Sequence, residues 1–230
     1  MKTIGLIGGM SWESTVTYYQ VINETVKEAL GGLHSAKILL YSVDFDEIER
    51  CQSAGEWDKS ADILADAARR LETAGADFIV ICTNTMHKVA AQVRQRVTVP
   101  LLHIAEATAR ELRAADVDTV ALLGTSYTMT QDFYVDVLKR EGFHVQIPEG
   151  EAIGQVNSVI FDELCVGVIR EDSKQLLLRE IDKLQARGAQ GVILGCTELG
   201  LLIHAEDLSI PAFDTALIHA RAAARLALDT

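Results

Sequence analysis

An internal duplication constrains the fold of this chain more than any other feature of its sequence. Residues 188–199 contain an apolar run, 192–194, that ends in glycine, cysteine and threonine. Residues 75–85 repeat the pattern with a Gly-Ala pair, an apolar run and then Cys-Thr-Asn-Thr. A short apolar run followed by a helix-capping residue predicts a buried strand that leads through a loop into a helix. Aligned from their Gly-Ala pairs, the two stretches place Thr83 opposite Cys196.

Two further pairs of segments extend the duplication in the same order. Residues 4–9 resemble residues 120–125, and residues 100–103 resemble residues 211–214. Strands that alternate with helices predict a parallel sheet. We therefore expect an α/β protein of two pseudo-symmetric, Rossmann-like domains, each a doubly wound parallel sheet, that face a central cleft. The alternative interpretation is that strands ending in glycine are common to any doubly wound protein.

The repeats also predict the domain boundaries. We expect an N-terminal α/β domain of residues 1–100 completed by residues 214–230, and a second α/β domain of residues 101–213. A chain of 230 residues is long enough for two domains of about 115 residues each. Since the chain holds only three prolines and no Pro/Ser-rich linker, the connections between the domains are expected to be short.

Charge and hydropathy narrow the classes of partner. The formal net charge is −12, which disfavours nucleic acid and anionic membranes. Because the first residues lead directly into a strand pattern, no signal peptide is expected, and no apolar run approaches the roughly 18 residues that span a bilayer. We expect a cytoplasmic protein that binds a small molecule, with no nucleic-acid partner and no membrane. An anionic substrate would need a local positive feature, because the overall field repels it.

Cys196 is the best candidate for a reactive group because it follows a strand and precedes a helix. Open α/β sheets bind their ligands at the carboxyl ends of strands, and a helix N-terminus is expected to lower the pKa of a thiol. The alternative is a buried structural cysteine. Cys82 is expected to pack in the core, and Cys51 and Cys165 are interpreted as structural. His87 either reaches the ligand cleft or lies on a helix surface.

Other recognised chemistries lack their motifs. The six histidines and four cysteines have no metal-ligand spacing, so no metal site is expected. The sequence contains neither GxSxG nor a phosphate-binding P-loop. The Gly8-Gly9 turn after the first strand suggests backbone N–H groups that approach an anion, but it does not match GxGxxG. A nucleotide-binding domain is therefore an alternative interpretation, although the sequence lacks the phosphate-binding motif of such domains.

These motifs resemble the cofactor-independent aspartate/glutamate racemase family over nearly the whole chain. Residues 8–14, 82–87 and 195–198 carry the resemblance, and the first two runs are most similar to a bacterial subgroup of aspartate/glutamate-specific and broad-specificity amino-acid racemases. The resemblance implies an isomerase that uses no pyridoxal phosphate and no other cofactor. In the family, one cysteine thiolate removes the α-proton and an opposite thiol returns a proton on the other face. The resemblance also implies a homodimer.

The resemblance assigns the site residues. It makes Cys196 the catalytic acid/base, with Thr83 facing it. Inversion by proton transfer needs two acid–base groups on opposite faces of the α-carbon, which two pseudo-symmetric halves can supply. The substrate α-carboxylate is expected on backbone N–H groups at helix N-termini, where enolate charge is stabilised. The predicted substrate-binding residues are Met10, Gln52, Asn84, Thr85 and Thr197.

The chain departs from the family at the first catalytic position. Where the family has its first cysteine, this chain has Thr83, whose hydroxyl is a far weaker acid than a thiol and has no base beside it in sequence. We therefore expect Cys196 to be the one competent base, while Thr83 relays a proton or positions a water molecule. Interconversion would then be slow, or faster in one direction, without a change in the equilibrium constant.

A second departure concerns specificity. Cys165 aligns with a lysine of the aspartate-specific members, and Arg50 does not clearly match their arginine. Without these cations a substrate side-chain carboxylate has no obvious partner, and an unpaired buried charge is costly. Gln52 could hydrogen-bond an acidic or neutral side chain, so we expect a broad or acidic substrate range. The alternatives are a strictly aspartate-specific racemase, a one-cysteine decarboxylase of the same superfamily, and a degenerate racemase-fold protein that only binds an amino acid.

Overall fold

The computed structural model describes residues 1–229 and contains two compact units. The first unit consists of Met1–Ile104 and the segment from Ala216 onward, and the second consists of Ala105–Thr215. Each unit contains one four-stranded sheet in which every pairing is parallel. The predicted α/β class with two similar parallel sheets is confirmed.

The first unit contains strands β1 (Thr3–Gly8), β2 (Lys37–Ser42), β3 (Phe78–Ile81) and β4 (Leu101–Leu102). Its helices are α1 (Trp12–Leu30), α2 (Phe45–Ser53), α3 (Trp57–Thr73) and α4 (Ala90–Arg94). A 3₁₀ helix, Thr85–Val89, precedes α4, and the last helix of the chain, α10 (Thr215–Leu228), returns to this unit. The strands lie in the order β2-β1-β3-β4.

The second unit repeats this arrangement. Its strands are β5 (Thr119–Gly124), β6 (His144–Gln146), β7 (Gly191–Gly195) and β8 (Ala212–Asp214), and they lie in the order β6-β5-β7-β8. Its helices are α5 (Ile104–Ala114), α6 (Ser126–Thr130), α7 (Asp132–Arg140), α8 (Glu151–Ser158) and α9 (Glu171–Ala186). Because the strand order is the same in both sheets, the duplication found in the sequence is a duplication of topology.

Strand register shows how the two halves align residue by residue. Ile7 of β1 pairs with Ile81, two residues before Thr83, and Leu123 of β5 pairs with Leu194, two residues before Cys196. Because Ile7 and Leu123 are both the next-to-last residues of their strands, Thr83 and Cys196 occupy equivalent positions in the two sheets. This equivalence agrees with the alignment made from the Gly-Ala pairs.

Period-two alternation divides the side chains of β3 between the two faces of its sheet. Phe78, Val80 and Cys82 pack in an apolar cluster with residues of α1 and α10, whereas Ile79 and Ile81 pack in the cluster that contains residues of α3 and α4. The prediction that Cys82 packs in the core is confirmed, and burial raises the pKa of its thiol. A fully buried aliphatic side chain contributes about 1.5–3 kcal/mol to folding, so both faces stabilise this strand.

Two helical segments depart from regular α-helix. The segment that leads into α4 begins with the 3₁₀ helix, in which the backbone N–H of His87 donates to the carbonyl of Asn84, three residues earlier. Helix α8 passes into a π-helical turn, Val159–Glu163, and then a 3₁₀ turn, Leu164–Val166. Within residues 1–229, no helix combines the length and apolar character needed to cross a bilayer.

Candidate functional site

Each sheet has a switch point between its first and third strands, where the chain changes the side to which it adds strands. Open α/β sheets bind ligands at the carboxyl edge of such a point. In the first unit, Met10 follows β1 there, and the segment from Thr83 to Thr85 follows β3. In the second unit, Cys196 follows β7. Within each unit, the fold therefore brings predicted site residues to the edge where ligands are expected.

Cys196 lies one residue beyond β7 and directly before a 3₁₀ helix, Thr197–Leu201. Its side chain is 9% exposed and packs in the apolar cluster that also contains Val192 and Leu194 of β7. A Cβ added at Gly195 would lie 2.8 Å from the Leu123 carbonyl oxygen. A glycine at this position thus lets β7 pack closely against β5 up to the residue before the thiol.

A carboxylate lies beside the Cys196 thiol. Cys196 Sγ is 2.9 Å from Glu198 Oε2, and Thr197 Oγ1 is 2.8 Å from the same oxygen. Because an ionised carboxylate can only accept hydrogen bonds, the thiol and the hydroxyl both donate to it. The Glu198 side chain is 7% exposed, so these three groups interact largely away from bulk water, where electrostatic interactions are stronger.

These surroundings raise the pKa of the Cys196 thiol well above its usual value. Burial is the largest cause, followed by the negative charge of Glu198 and the hydrogen bond that the thiol donates to it; the nearby Cys165 adds to the effect. The prediction that a helix N-terminus lowers this pKa is wrong. The helix is a five-residue 3₁₀ helix, and burial together with a carboxylate at hydrogen-bonding distance outweighs its dipole.

Thr83 stands at the equivalent position in the first unit but in different surroundings. It is half-buried, its N–H donates to the carbonyl of Ile81, and its own carbonyl oxygen lies 2.8 Å from His87 Nδ1. Within the described residues of its own unit, the Thr83 hydroxyl has no hydrogen-bond partner. No neighbouring carboxylate or imidazole in that unit is therefore placed to take its proton.

The other predicted substrate-binding residues lie near these strand ends or on α2. Asn84 immediately precedes the 3₁₀ helix after β3, Thr85 begins it, and both side chains are buried. Gln52, on α2, is also buried and donates through Nε2 to Met86 Sδ at 3.0 Å. Met10 is buried in the apolar cluster of the first unit. Thr197 is half-buried beside Cys196.

The Gly8-Gly9 turn is explained by packing. The Gly9 N–H donates to Thr15 Oγ1 at 2.8 Å, so the prediction that it approaches an anion is wrong for this amide. Gly9 has a φ of +91°, and an added Cβ would lie 2.2 Å from the Val43 carbonyl oxygen. Only glycine combines that left-handed backbone with such a close approach.

The two positions linked to substrate specificity also differ in their surroundings. Arg50 is exposed on α2 and forms an ion pair with Asp46, one helical turn earlier. Cys165, in the 3₁₀ turn, packs against the apolar cluster that contains Cys196. At the position that aligns with a lysine of the aspartate-specific members, this chain therefore has a thiol packed against that cluster.

Two residues at the strand ends received no firm role from the sequence. In the sequence, Glu198 is an acidic residue two positions after the candidate thiol, within a run that carries the family resemblance. The sequence allows His87 either a ligand-facing or a surface position, but the structure buries it at 2% exposure with both ring nitrogens hydrogen-bonded to the backbone. The feature of the sequence that points to His87 is its position two residues after the Asn84-Thr85 pair.

Comparisons with known proteins show the family and agree with the fold. The family model described as Asp/Glu/Hydantoin racemase matches residues 7–223. The chain is similar to the broad specificity amino-acid racemase RacX of Bacillus subtilis (strain 168), with 25% identity over 229 residues that cover 92% of each chain. It is also similar to a crystallised candidate Asp/Glu racemase from Yersinia pestis, with 53% identity and a TM-score of 0.94. An aspartate racemase homologue from Pyrococcus horikoshii OT3 is 40% identical with a TM-score of 0.87, and both structural matches cover 100% of both chains.

Proposed function

The chain belongs to the Asp/Glu/hydantoin racemase family, and we propose that it is a cofactor-independent amino-acid racemase that inverts the α-carbon by proton abstraction and return. The observation that carries the proposal is the Cys196 thiol at the carboxyl end of β7, with a carboxylate oxygen 2.9 Å away to accept its proton. We further propose a cytoplasmic homodimer whose ligand is an amino acid, with no metal, nucleic-acid or membrane partner.

In this mechanism Cys196 and Glu198 act as a pair. The thiol proton moves to Glu198 Oε2, which leaves a thiolate and a neutral carboxyl group. Because the pair carries one negative charge before and after the transfer, no additional charge is buried. The thiolate then takes the α-proton, and the electron pair of the broken C–H bond delocalises into the substrate carboxylate as an enolate. Thr197 supports the pair because its hydroxyl donates to the same oxygen.

The return step supplies a proton to the opposite face of the α-carbon. We propose that Thr83, or a water molecule that it positions, delivers this proton. The donor oxygen then regains a proton from solvent water, and Glu198 Oε2 releases the one it took from the thiol, which restores the starting state. The support is the equivalence of Thr83 and Cys196 in the two sheets. Since the Thr83 hydroxyl has no base beside it within its own unit, this half-reaction is the slower one.

The proposed substrate range is broad or acidic. The supporting observations are that Cys165 packs near Cys196 where aspartate-specific members have a lysine, and that Arg50 is exposed and paired with Asp46. A buried substrate carboxylate would need a compensating cation, so neutral amino acids are not at a disadvantage. Asn84, Thr85, Thr197, Met10 and Gln52 are the proposed substrate contacts.

A second candidate function is favoured by one observation. The Thr83 hydroxyl has neither a thiol's acidity nor a base within its unit, which is what a racemase fold that only binds an amino acid would contain. A strictly aspartate-specific racemase is the other alternative, and its activity would be confined to one substrate.

The deciding experiment measures α-proton exchange in deuterated buffer without added cofactor, across L- and D-amino acids, by proton NMR. The proposal expects deuterium incorporation with inversion, abolished by Cys196→Ser. Exchange confined to aspartate would replace the broad range by the aspartate-specific alternative. Amino-acid binding without exchange from either enantiomer would contradict the racemase and favour the binding protein.

A further inference from the structure

A cluster of three buried histidines lies beneath the turn after β3 and has no part in the mechanism above. The ring centroid of His87 is 4.6 Å from that of His103 and 5.6 Å from that of His219, and all three side chains are buried. Each imidazole brings two polar nitrogens into the interior, which is costly unless they are hydrogen-bonded. The hydrogen bonds of these rings therefore indicate what the cluster does in the fold.

The hydrogen bonds of His87 define its protonation. Nδ1 lies 2.8 Å from the carbonyl oxygen of Thr83, and a carbonyl oxygen can only accept, so Nδ1 carries a proton. Nε2 accepts from the backbone N–H of Ile104 at 3.2 Å, so Nε2 carries none. His87 is thus a neutral imidazole in a single tautomer. Burial, and then the proximity of His103 and His219, lower its pKa and favour the same state.

The imidazole replaces a backbone hydrogen bond of an ordinary helix. In an α-helix the N–H of His87 would donate to the carbonyl of Thr83, four residues earlier. Here the side chain takes that carbonyl, and the backbone N–H donates instead to Asn84, three residues earlier, at 3.0 Å. This exchange of partners accompanies the 3₁₀ geometry of the turn after β3.

The same imidazole joins two neighbouring strand ends. Thr83 follows β3, and Ile104 follows β4, so His87 links the loops at the carboxyl ends of two paired strands. It also orients the peptide between Thr83 and Asn84, because the C=O and N–H groups of a trans peptide point in opposite directions. With the carbonyl held by His87, the N–H of Asn84 is directed away from the imidazole.

His219 completes a support behind this link. Its Nε2 donates to the carbonyl of Leu102 at 3.0 Å, and its Nδ1 accepts from the hydroxyl of Tyr18 at 2.8 Å. Because His87 and His219 use both ring nitrogens in these bonds, neither has a nitrogen left for a metal ion. The contacts instead connect α1, α10 and the ends of β3 and β4.

From these contacts we propose that His87 is a positioning residue that holds the Thr83–Asn84 peptide in the orientation needed for the second proton-transfer step. The inference rests on the proposed function, in which Thr83 serves the face opposite Cys196. His87 itself does not transfer a proton in the reaction, because its neutral ring is held by two backbone groups.

Two isosteric variants separate the two hydrogen bonds of His87. In His87→Asn the amide nitrogen can occupy the position of Nδ1 and donate to Thr83. In His87→Gln the amide reaches the position of Nε2 and can accept from Ile104, but the bond to Thr83 is lost. We expect kcat/KM for inversion to stay within about threefold of the wild type in His87→Asn and to fall by about 30-fold or more in His87→Gln.

His219→Gln is the matched control. It also removes a buried imidazole of the cluster and keeps a group at the Nε2 position, but the bond lost is the one to Tyr18. We expect inversion per folded protein to remain within about threefold of the wild type. Equal losses in His87→Asn and His87→Gln, an equal loss in His219→Gln, or full activity in His87→Gln would each overturn the proposal. If Cys196→Ser is inactive while His87→Gln is fully active, this inference fails and the proposed function stands.

A measurement on the unmodified protein gives an independent test if a variant does not fold. Long-range ¹H–¹⁵N NMR distinguishes the two neutral tautomers and the charged ring of histidine. The His87 ring, identified by its nuclear Overhauser contact with the Ile104 amide proton, is expected as the neutral Nδ1–H tautomer at neutral pH. A charged ring or an Nε2–H tautomer would overturn the proposal.

Discussion

The turns after β3 and after β7 begin from equivalent positions in two equivalent sheets, yet they surround their central residues differently. The turn after β7 places a carboxylate oxygen 2.9 Å from the Cys196 side chain. The turn after β3 places an imidazole 2.8 Å from the Thr83 carbonyl oxygen, and the Thr83 hydroxyl has no hydrogen-bond partner among the described residues of that unit. The turn after β7 thus supplies a hydrogen-bond acceptor for a side chain, whereas the turn after β3 supplies a hydrogen-bond donor for a main-chain carbonyl group.

The duplicated topology thus places Thr83 and Cys196 at equivalent positions without giving them the same chemical surroundings. Strand order and register align Thr83 with Cys196, but the residues one turn further along decide what each position can do. In the proposed mechanism Cys196 carries out the faster proton transfer and Thr83 serves the slower one. Substitutions in and near the two turns should change this difference in reactivity.

The largest effect is expected from removing the thiol. Cys196→Ser replaces it by a hydroxyl that is too weak an acid to form an anion beside Glu198, so α-proton exchange and inversion should fall by roughly 10²–10⁴-fold. Proton NMR in deuterated buffer measures both. Cys51→Ala, which removes a buried thiol on α2, is the control and should retain activity. Exchange by Cys196→Ser at the wild-type rate would refute the assignment of the base.

Glu198→Gln should separate the acidity of the thiol from its activity. Because the Glu198 carboxylate raises the pKa of Cys196, its removal should lower that pKa and move the midpoint of iodoacetamide alkylation to lower pH. Inversion should nevertheless fall by about 10²-fold, since the amide cannot take the thiol proton. Glu206→Gln, at an exposed acidic residue of a later turn, is the matched control. A midpoint that moves to higher pH would contradict the electrostatic account.

Thr83→Cys should make the two turns more alike. A thiol at this position can exchange protons more readily than a hydroxyl, so inversion should rise by roughly 10-fold. The two enantiomers have equal free energy in water, so kcat/KM must rise equally in both directions, while kcat rises more in the slower one. Polarimetry or chiral chromatography from each enantiomer measures this. An unchanged rate in both directions would remove Thr83 from the proposed reaction, and Thr17→Cys, at a half-buried threonine of α1, serves as control.

The smallest catalytic effect is expected at Tyr18. Tyr18→Phe removes the hydroxyl that donates to His219 Nδ1 and leaves a buried nitrogen without that donor. The free energy of unfolding, measured with urea, should fall by about 1–3 kcal/mol. Inversion should remain within about threefold of the wild type, because the bond between His87 and Thr83 is retained. A large loss of activity with unchanged stability would place the whole cluster, rather than His87, in control of the turn.

Much of the fold could be predicted from local patterns. Apolar runs identified β1, β3, β5 and β7, of which β1, β5 and β7 end in glycine, and the repeat alone aligned Thr83 with Cys196. The prediction that Cys82 packs in the core is confirmed. These predictions succeeded because strand periodicity and strand-end glycines depend on neighbours in sequence.

The electrostatics of the candidate site could not be predicted in the same way. The helix N-terminus suggested a lower pKa for Cys196, but burial and Glu198 raise it. A residue two positions away in sequence can point to either side of a turn, and only the 3₁₀ geometry after β7 decides that Glu198 Oε2 meets the thiol. The sign of the pKa shift is therefore a property of packing.

The sequence by itself determined the order of strands and helices, the duplication, and the candidate thiol at a strand end. The tertiary structure decided which groups surround that thiol and its counterpart. His87 meets Ile104 across 17 positions, and Tyr18 meets His219 across 201. Hydrogen-bond partners, burial and pKa depend on such distant neighbours, because the field at a buried atom comes from everything packed around it, wherever it lies along the chain.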